Sequence, residues 1–200
     1  VGNAWGAPGG GVIESVTPVR NADGTLTDKG TITLHLEEGE IGAVAVGDLC
    51  QGIFHDAVNT DNNATADSDD GRGNFHFAGF CTVYFRVIGI IESGRNSVFR
   101  YQLREVSERW PWQHHPSAQM HFVGYGNITD KTRQTSRYST RTYERYLHNV
   151  NGWEIGSGNI AAQFGDLSNL SIFGIDMQGY SAYLDNVYMR GRIEQLDLTP

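Results

Sequence analysis

The feature that most limits this chain is an alternation with a period of two. In "GFCTVYFRVIGII", residues 79–91, Cys81, Val83, Phe85 and Val87 share one side of an extended backbone, while Thr82, Tyr84 and Arg86 share the other. "ESGRN" then turns the chain. In "SVFRYQLRE", Phe99, Tyr101 and Leu103 alternate with Arg100, Gln102 and Arg104. A period of two belongs to a strand with one buried face, and two such runs joined by a short glycine-containing turn read as a β-hairpin. Its apolar face is continuous over both strands, which makes residues 80–104 the expected core of an antiparallel domain.

The same texture recurs. In "GTITLHLEEGE", Ile32, Leu34 and Leu36 alternate with Thr31, Thr33, His35 and Glu37, and the preceding "NADGT" supplies the positive φ angles of a turn. "IGAVAVGDLCQGIF" is an apolar run of strand length punctuated by Gly47-Asp48, and "QMHFVGYGN" is a further short strand. No sustained helical period appears before residue 127. With 25 glycines and 19% charged residues, the composition suits short strands and tight turns. The expected fold is all-β: a small antiparallel barrel-like or sandwich domain over residues 41–126, preceded by a connector and first strands over 1–40 and followed by a β-rich region over 127–200. The glycine-rich opening reads as a flexible connector cut from a longer protein.

The boundary near 126 rests on a change of texture. "ITDKTRQTSRYSTRTYERYL" is polar, with Tyr138, Tyr143 and Tyr146 as its main bulky residues, and suits a sheet edge or a surface between subunits. Its cations, Lys131, Arg133, Arg137, Arg141 and Arg145, read as the solvated face of a polar strand. Further on, "MQGYSAYLDNVYMRGRIEQL" reads as a hairpin turning at Asp185-Asn186. Residues 127–200 hold too few bulky apolar side chains to cover both faces of a sheet. Pairing with other copies of the chain would bury Tyr183, Val187, Met189 and Ile193.

Several chemistries lose weight. The net charge of -8 counts against a protein that coats nucleic acid, and no run approaches the roughly 18 apolar residues of a membrane span. Cys50 and Cys81 sit in apolar strands and read as buried, reduced thiols. The segment from His55 to Asn74 reads as a long exposed loop. Its Asp61, Asp67, Asp69 and Asp70 do not follow the spacing of a calcium loop. His114 and His115 are adjacent, so their side chains diverge on a strand instead of converging on zinc. No nucleophile motif is present and no carboxylate pair is singled out, so no catalytic residue, metal or cofactor is expected. Trp110 and Trp112 flank Pro111 in a loop and form a candidate platform for stacking on a glycan, with plain packing as the competing role. Sequons occur at Asn63, Asn127 and Asn169.

Five phrases in order, "VAVGDLCQGIF", "YFRVIGI", "HFVGYGNITDKTRQTSRY", "GNIAAQFGDLSNL" and "GYSAYLDNVYMRGRIE", resemble the C-terminal part of tail-tip and tail-fibre proteins of bacteriophages and prophages of Bacteroides-like gut bacteria. The resemblance covers roughly residues 41–194, with the acidic loop at 55–74 as an insertion. It implies a virion tail component that acts in host attachment, assembles as a homotrimer through residues 127–200, and meets other tail proteins and a bacterial surface glycan or protein receptor. Two readings of other classes compete: a free carbohydrate-binding module of a gut bacterium using Trp110 and Trp112, and a glycan-degrading tail enzyme.

Overall fold

The computed structural model describes residues 4–55, 80–108, 113–168, 170–172 and 175–196. A three-residue strand, β1 (Ala4–Gly6), leads into β2 (Gly9–Arg20), β3 (Leu26–Leu34), β4 (Asp48–His55), β5 (Phe80–Glu92), β6 (Val98–Leu103) and β7 (His121–Asn127). Strands β2 to β7 close into an antiparallel barrel in the order β2-β3-β6-β5-β4-β7, with β7 returning to pair with β2. Closure removes the free edges that an open sheet of this length would expose.

Local chemistry explains the connections. In the β2–β3 turn, Gly24 has φ +86° and the Asp23 carboxylate accepts from the Thr25 N–H and hydroxyl at 3.0 and 2.6 Å. In the β5–β6 turn, Glu92 accepts from the Ser97 hydroxyl at 2.8 Å and the Gly94 N–H at 2.7 Å. Hydrogen bonds from Ser97 and Arg95 hold its carboxyl down to about 2. The hairpin expected over residues 80–104 is present, with Phe85 opposite Leu103 and Val87 opposite Tyr101.

Its apolar face lines the barrel interior. Phe85, Phe99 and Tyr101 are fully buried, with the Phe85 ring 5.3 Å from Phe122, 5.8 Å from Tyr101 and 6.4 Å from Phe99 between centroids. Gly30 makes room for Tyr101: a Cβ there would stand 2.5 Å from the phenol oxygen. Cys50 is buried and free, opposite Phe85, whereas Cys81 lies opposite Phe54. Four residues of strand separate them by about 13 Å, beyond disulfide reach.

The remaining strands, β8 (Ser136–Ser139), β9 (Tyr143–Leu147), β10 (Ile160–Asp166) and β13 (Tyr180–Leu184), join β1 in a second antiparallel sheet ordered β1-β8-β9-β10-β13. β11 (Ser171–Ile172) and β12 (Ile175–Asp176) form a small hairpin between β10 and β13. A second core joins the sheet and its connecting loops to the barrel wall. Leu49 and Tyr125 come from the barrel, and Leu147, Val150, Ile160 and Leu167 come from the chain beyond it.

Three sequence expectations change here. The first strands expected within residues 1–40 are present as β2 and β3, but they belong to the barrel, so residues 41–126 do not close it alone. β7 does end at Asn127, but the parts on either side share a core, and β1 reaches across to pair with β8. The hairpin expected at Asp185-Asn186 does not form: Tyr180–Leu184 pairs with β10, and no strand follows it among the described residues.

Candidate interaction surface

A buried polar latch fixes the second sheet to the barrel. Asp48, 1% exposed, opens β4, and its carboxylate accepts from Arg133 Nε and Nη2 at 2.7 Å each, from Asn127 Nδ2 at 2.9 Å and from the Ala45 N–H at 2.9 Å. Asn127 closes β7. Its amide also donates to the Val46 carbonyl, while its Oδ1 accepts from the Thr129 and Asp130 N–H groups. Gln134 donates to the Asn127 carbonyl at 2.8 Å, and its own carbonyl accepts from the Val150 N–H. Asp130 caps the 3-10 turn Lys131–Arg133, which aims Arg133 inward. Gly47 permits the close approach: its φ is +89°, and a Cβ would stand 2.8 Å from Asn127 Oδ1.

The latch is a joint, and every oxygen of its carboxylate is spoken for. Burial and the Asp48 charge push the Cys50 thiol well up, so Cys50 is an inert neutral side chain beside it. The sequon at Asn127 is closed to modification because its amide is buried and engaged. Of the cations of 131–145, expected on a solvated face, Lys131, Arg137 and Arg141 are exposed, whereas Arg133 and Arg145 serve internal contacts. Arg133 holds Asp48, and Arg145 donates to buried Gln163 at 2.8 Å and lies over the Tyr143 ring. Arg137 pairs with Glu144.

With one face against the barrel, the five-stranded sheet turns the other outward. Cross-strand register places Arg137, Tyr146, Ala162 and Leu184 in one row, and Ser139, Glu144, Phe164 and Ala182 in the next. Tyr146 and Phe164 meet edge to face at 6.3 Å, and Tyr146, Phe164 and Leu184 are each about 40% exposed. No described residue covers them further. Every residue from Leu184 to Leu196 is exposed, among them Tyr188 at 97%, Ile193 at 74% and Val187 at 68%. At about 200 Å² for each large side chain, the exposed apolar groups of the outer rows amount to roughly 240 Å² and those of 187–196 to roughly 740 Å². The largest apolar patch of an ordinary monomer is about 300–600 Å².

Of the residues expected at a subunit interface, Val187, Met189 and Ile193 lie on this surface. Tyr183 does not. It points inward, packs against the second core and gives its hydroxyl to Asp185 at 3.0 Å. Tyr180, Leu184, Tyr146 and Phe164 take its place. The sequence reading placed Tyr146 in a stretch suited to a sheet edge or subunit surface but missed Phe164, and only the register brings the two together.

Trp110, Trp112 and the acidic segment 56–74 lie outside the described residues. His115 is committed internally: its Nε2 donates to the Thr27 carbonyl at 2.8 Å and its Nδ1 accepts from the Tyr101 hydroxyl at 2.6 Å. No known protein family matches the chain, and neither a curated protein nor a solved structure matches it.

Proposed function

We propose that the chain is a structural, non-enzymatic component of a bacteriophage or prophage tail, at the tip or fibre, that assembles with copies of itself as a homotrimer and contributes to host attachment. The observation that carries this reading is the outward apolar surface of the second sheet and of residues 187–196. Residues 187–196 alone expose more apolar surface than the largest patch of an ordinary monomer, and with the sheet face the total is comparable to the roughly 800 Å² that each partner buries in a stable complex.

The resemblance to tail proteins supports the reading from another side. Its phrases "GD", "GN" and "RQ" supply Asp48, Asn127, Arg133 and Gln134, the members of one buried latch. The pattern therefore follows a structural requirement: a barrel must be held rigidly to the sheet that faces its neighbours. Partners on this reading are other copies, adjoining tail proteins, and a surface glycan or protein receptor of the host. The test is imaging of phage particles carrying a labelled copy of the chain. Label at the distal end of the tail is the expected outcome. A soluble, monomeric chain that never enters particles and binds a glycan would replace this reading with that of a carbohydrate-binding module.

A further inference from the structure

The second sheet has an unusual companion. After β13 the chain forms no further strand among the described residues: it runs on exposed, bends at Gly191 (φ +137°), and carries Val187, Met189 and Ile193 among Tyr188, Arg190, Arg192 and Glu194. Its departure is fixed, with the Asp185 N–H donating to the Ala161 carbonyl at 3.2 Å and the Asp185 carboxylate holding the Tyr183 hydroxyl. It leaves from an edge strand and does not fold back, since Phe164, Tyr146 and Leu184 on the same subunit stay uncovered. Among the described residues the molecule thus carries an apolar arm with no face to cover and a half-exposed apolar face with nothing further over it.

We infer that the two are complementary parts of one contact: residues 187–196 of one copy lie across the outer face of the five-stranded sheet of the next copy, with Val187, Met189 and Ile193 over Phe164, Tyr146 and Leu184. This rests on the self-assembly reading above and specifies how the copies meet. Donor and acceptor are different surfaces of the chain, so the contact is head-to-tail. Repetition of such a contact closes into a ring when its rotation permits. Charged groups on both surfaces are already matched within the subunit, Arg192 with Glu194 on the arm and Arg137 with Glu144 beside the apolar rows, so neither surface brings an unpaired ion from these pairs into the contact.

The test mixes two full-length-based variants. Phe164→Asp spoils the acceptor face, and truncation after Asn186 removes the arm while keeping the Asp185 anchor. Each alone should weaken association by about a hundredfold, as judged by sedimentation across a concentration series. Mixed in equal amounts they should form a one-to-one complex, because the first supplies an intact arm and the second an intact face. Val187→Asp, at an exposed position with no role in folding the monomer, should repeat the effect of the truncation and likewise be rescued by it. A mixture that stays monomeric would overturn the arrangement in favour of a contact between like surfaces. So would a truncated chain that assembles as the wild type does. A wild type that is itself monomeric would refute self-assembly altogether, which keeps the two failures apart.

Discussion

Removing one partner of the Asp48–Arg133 pair should destabilise the protein far more than the loss of a surface ion pair. Asp48 is 1% exposed, and two of the four hydrogen bonds to its carboxylate come from Arg133 at 2.7 Å. Arg133→Met would leave that charge buried with only Asn127 and the Ala45 N–H to satisfy it. Breaking a buried pair in this way costs about 3–5 kcal/mol. Asp48→Asn strands the guanidinium instead, but Arg133 retains the Ala43 carbonyl and partial access to water, so a cost of about 3 kcal/mol is expected. Because each single change already forfeits the shared interaction, the double variant should cost about 2 kcal/mol less than the sum of the two. Urea unfolding followed by tryptophan fluorescence and circular dichroism measures all three. The reasoning fails if either single variant loses less than about 1 kcal/mol, or if the costs add within about 0.5 kcal/mol.

Phe85→Ala should cost about 3–5 kcal/mol, since the ring is fully buried among Phe99, Tyr101 and Phe122, and a loss below about 1 kcal/mol in urea would contradict the closed barrel core. Burial holds the His115 imidazole below its usual range against the opposing pull of the Thr27 carbonyl and Asp28, so the folded state prefers the neutral ring. Its stabilising effect is therefore complete above the ordinary histidine value of about 6.5 and is lost as pH falls below it. Thermal melts between about pH 7 and 5 should show a decline that His115→Gln flattens, and an equal slope in the variant would refute the assignment. His55 and Phe80 face each other in the β4–β5 register, so replacing residues 56–79 by a few Gly and Ser residues should leave the melting temperature nearly unchanged, loop closure costing only about 0.6 kcal/mol per doubling of length. A large drop in the shortened chain, or one reproduced by removing calcium from the intact protein, would give that segment a structural or metal-binding role.

Where periodicity was dense, the fold was legible in the residues. Phe85, Val87, Phe99 and Tyr101 lie on one side of two alternating runs, and they line the barrel. The turn at Asn21–Thr25 was equally plain, because Asp and Gly at those positions have local work to do. What escaped was long-range. Nothing in "GVIESVTPV" says that β2 closes onto β7, which lies more than a hundred residues away. Arg133 read as a surface cation because its partner Asp48 is distant in sequence, and a buried ion pair leaves no periodic trace. The alternation after Asp185 suggested a returning strand, but none forms among the described residues, because a local pattern cannot say whether a pairing partner lies in the same chain. Tyr183 and Tyr180 illustrate the limit: both are aromatic and three residues apart, and the register with Gln163 and Asp166 turns one inward and leaves the other 76% exposed.

The central claim is that the outward sheet face and residues 187–196 exist to meet other copies of this chain. Sedimentation equilibrium of the full-length protein, from low micromolar to tens of micromolar, tests it most directly. The account predicts a reversible association that reaches a trimer and that Val187→Asp abolishes without changing the β-sheet spectrum. A wild-type chain that remains monomeric throughout that range, with a fully cooperative melt, would contradict it.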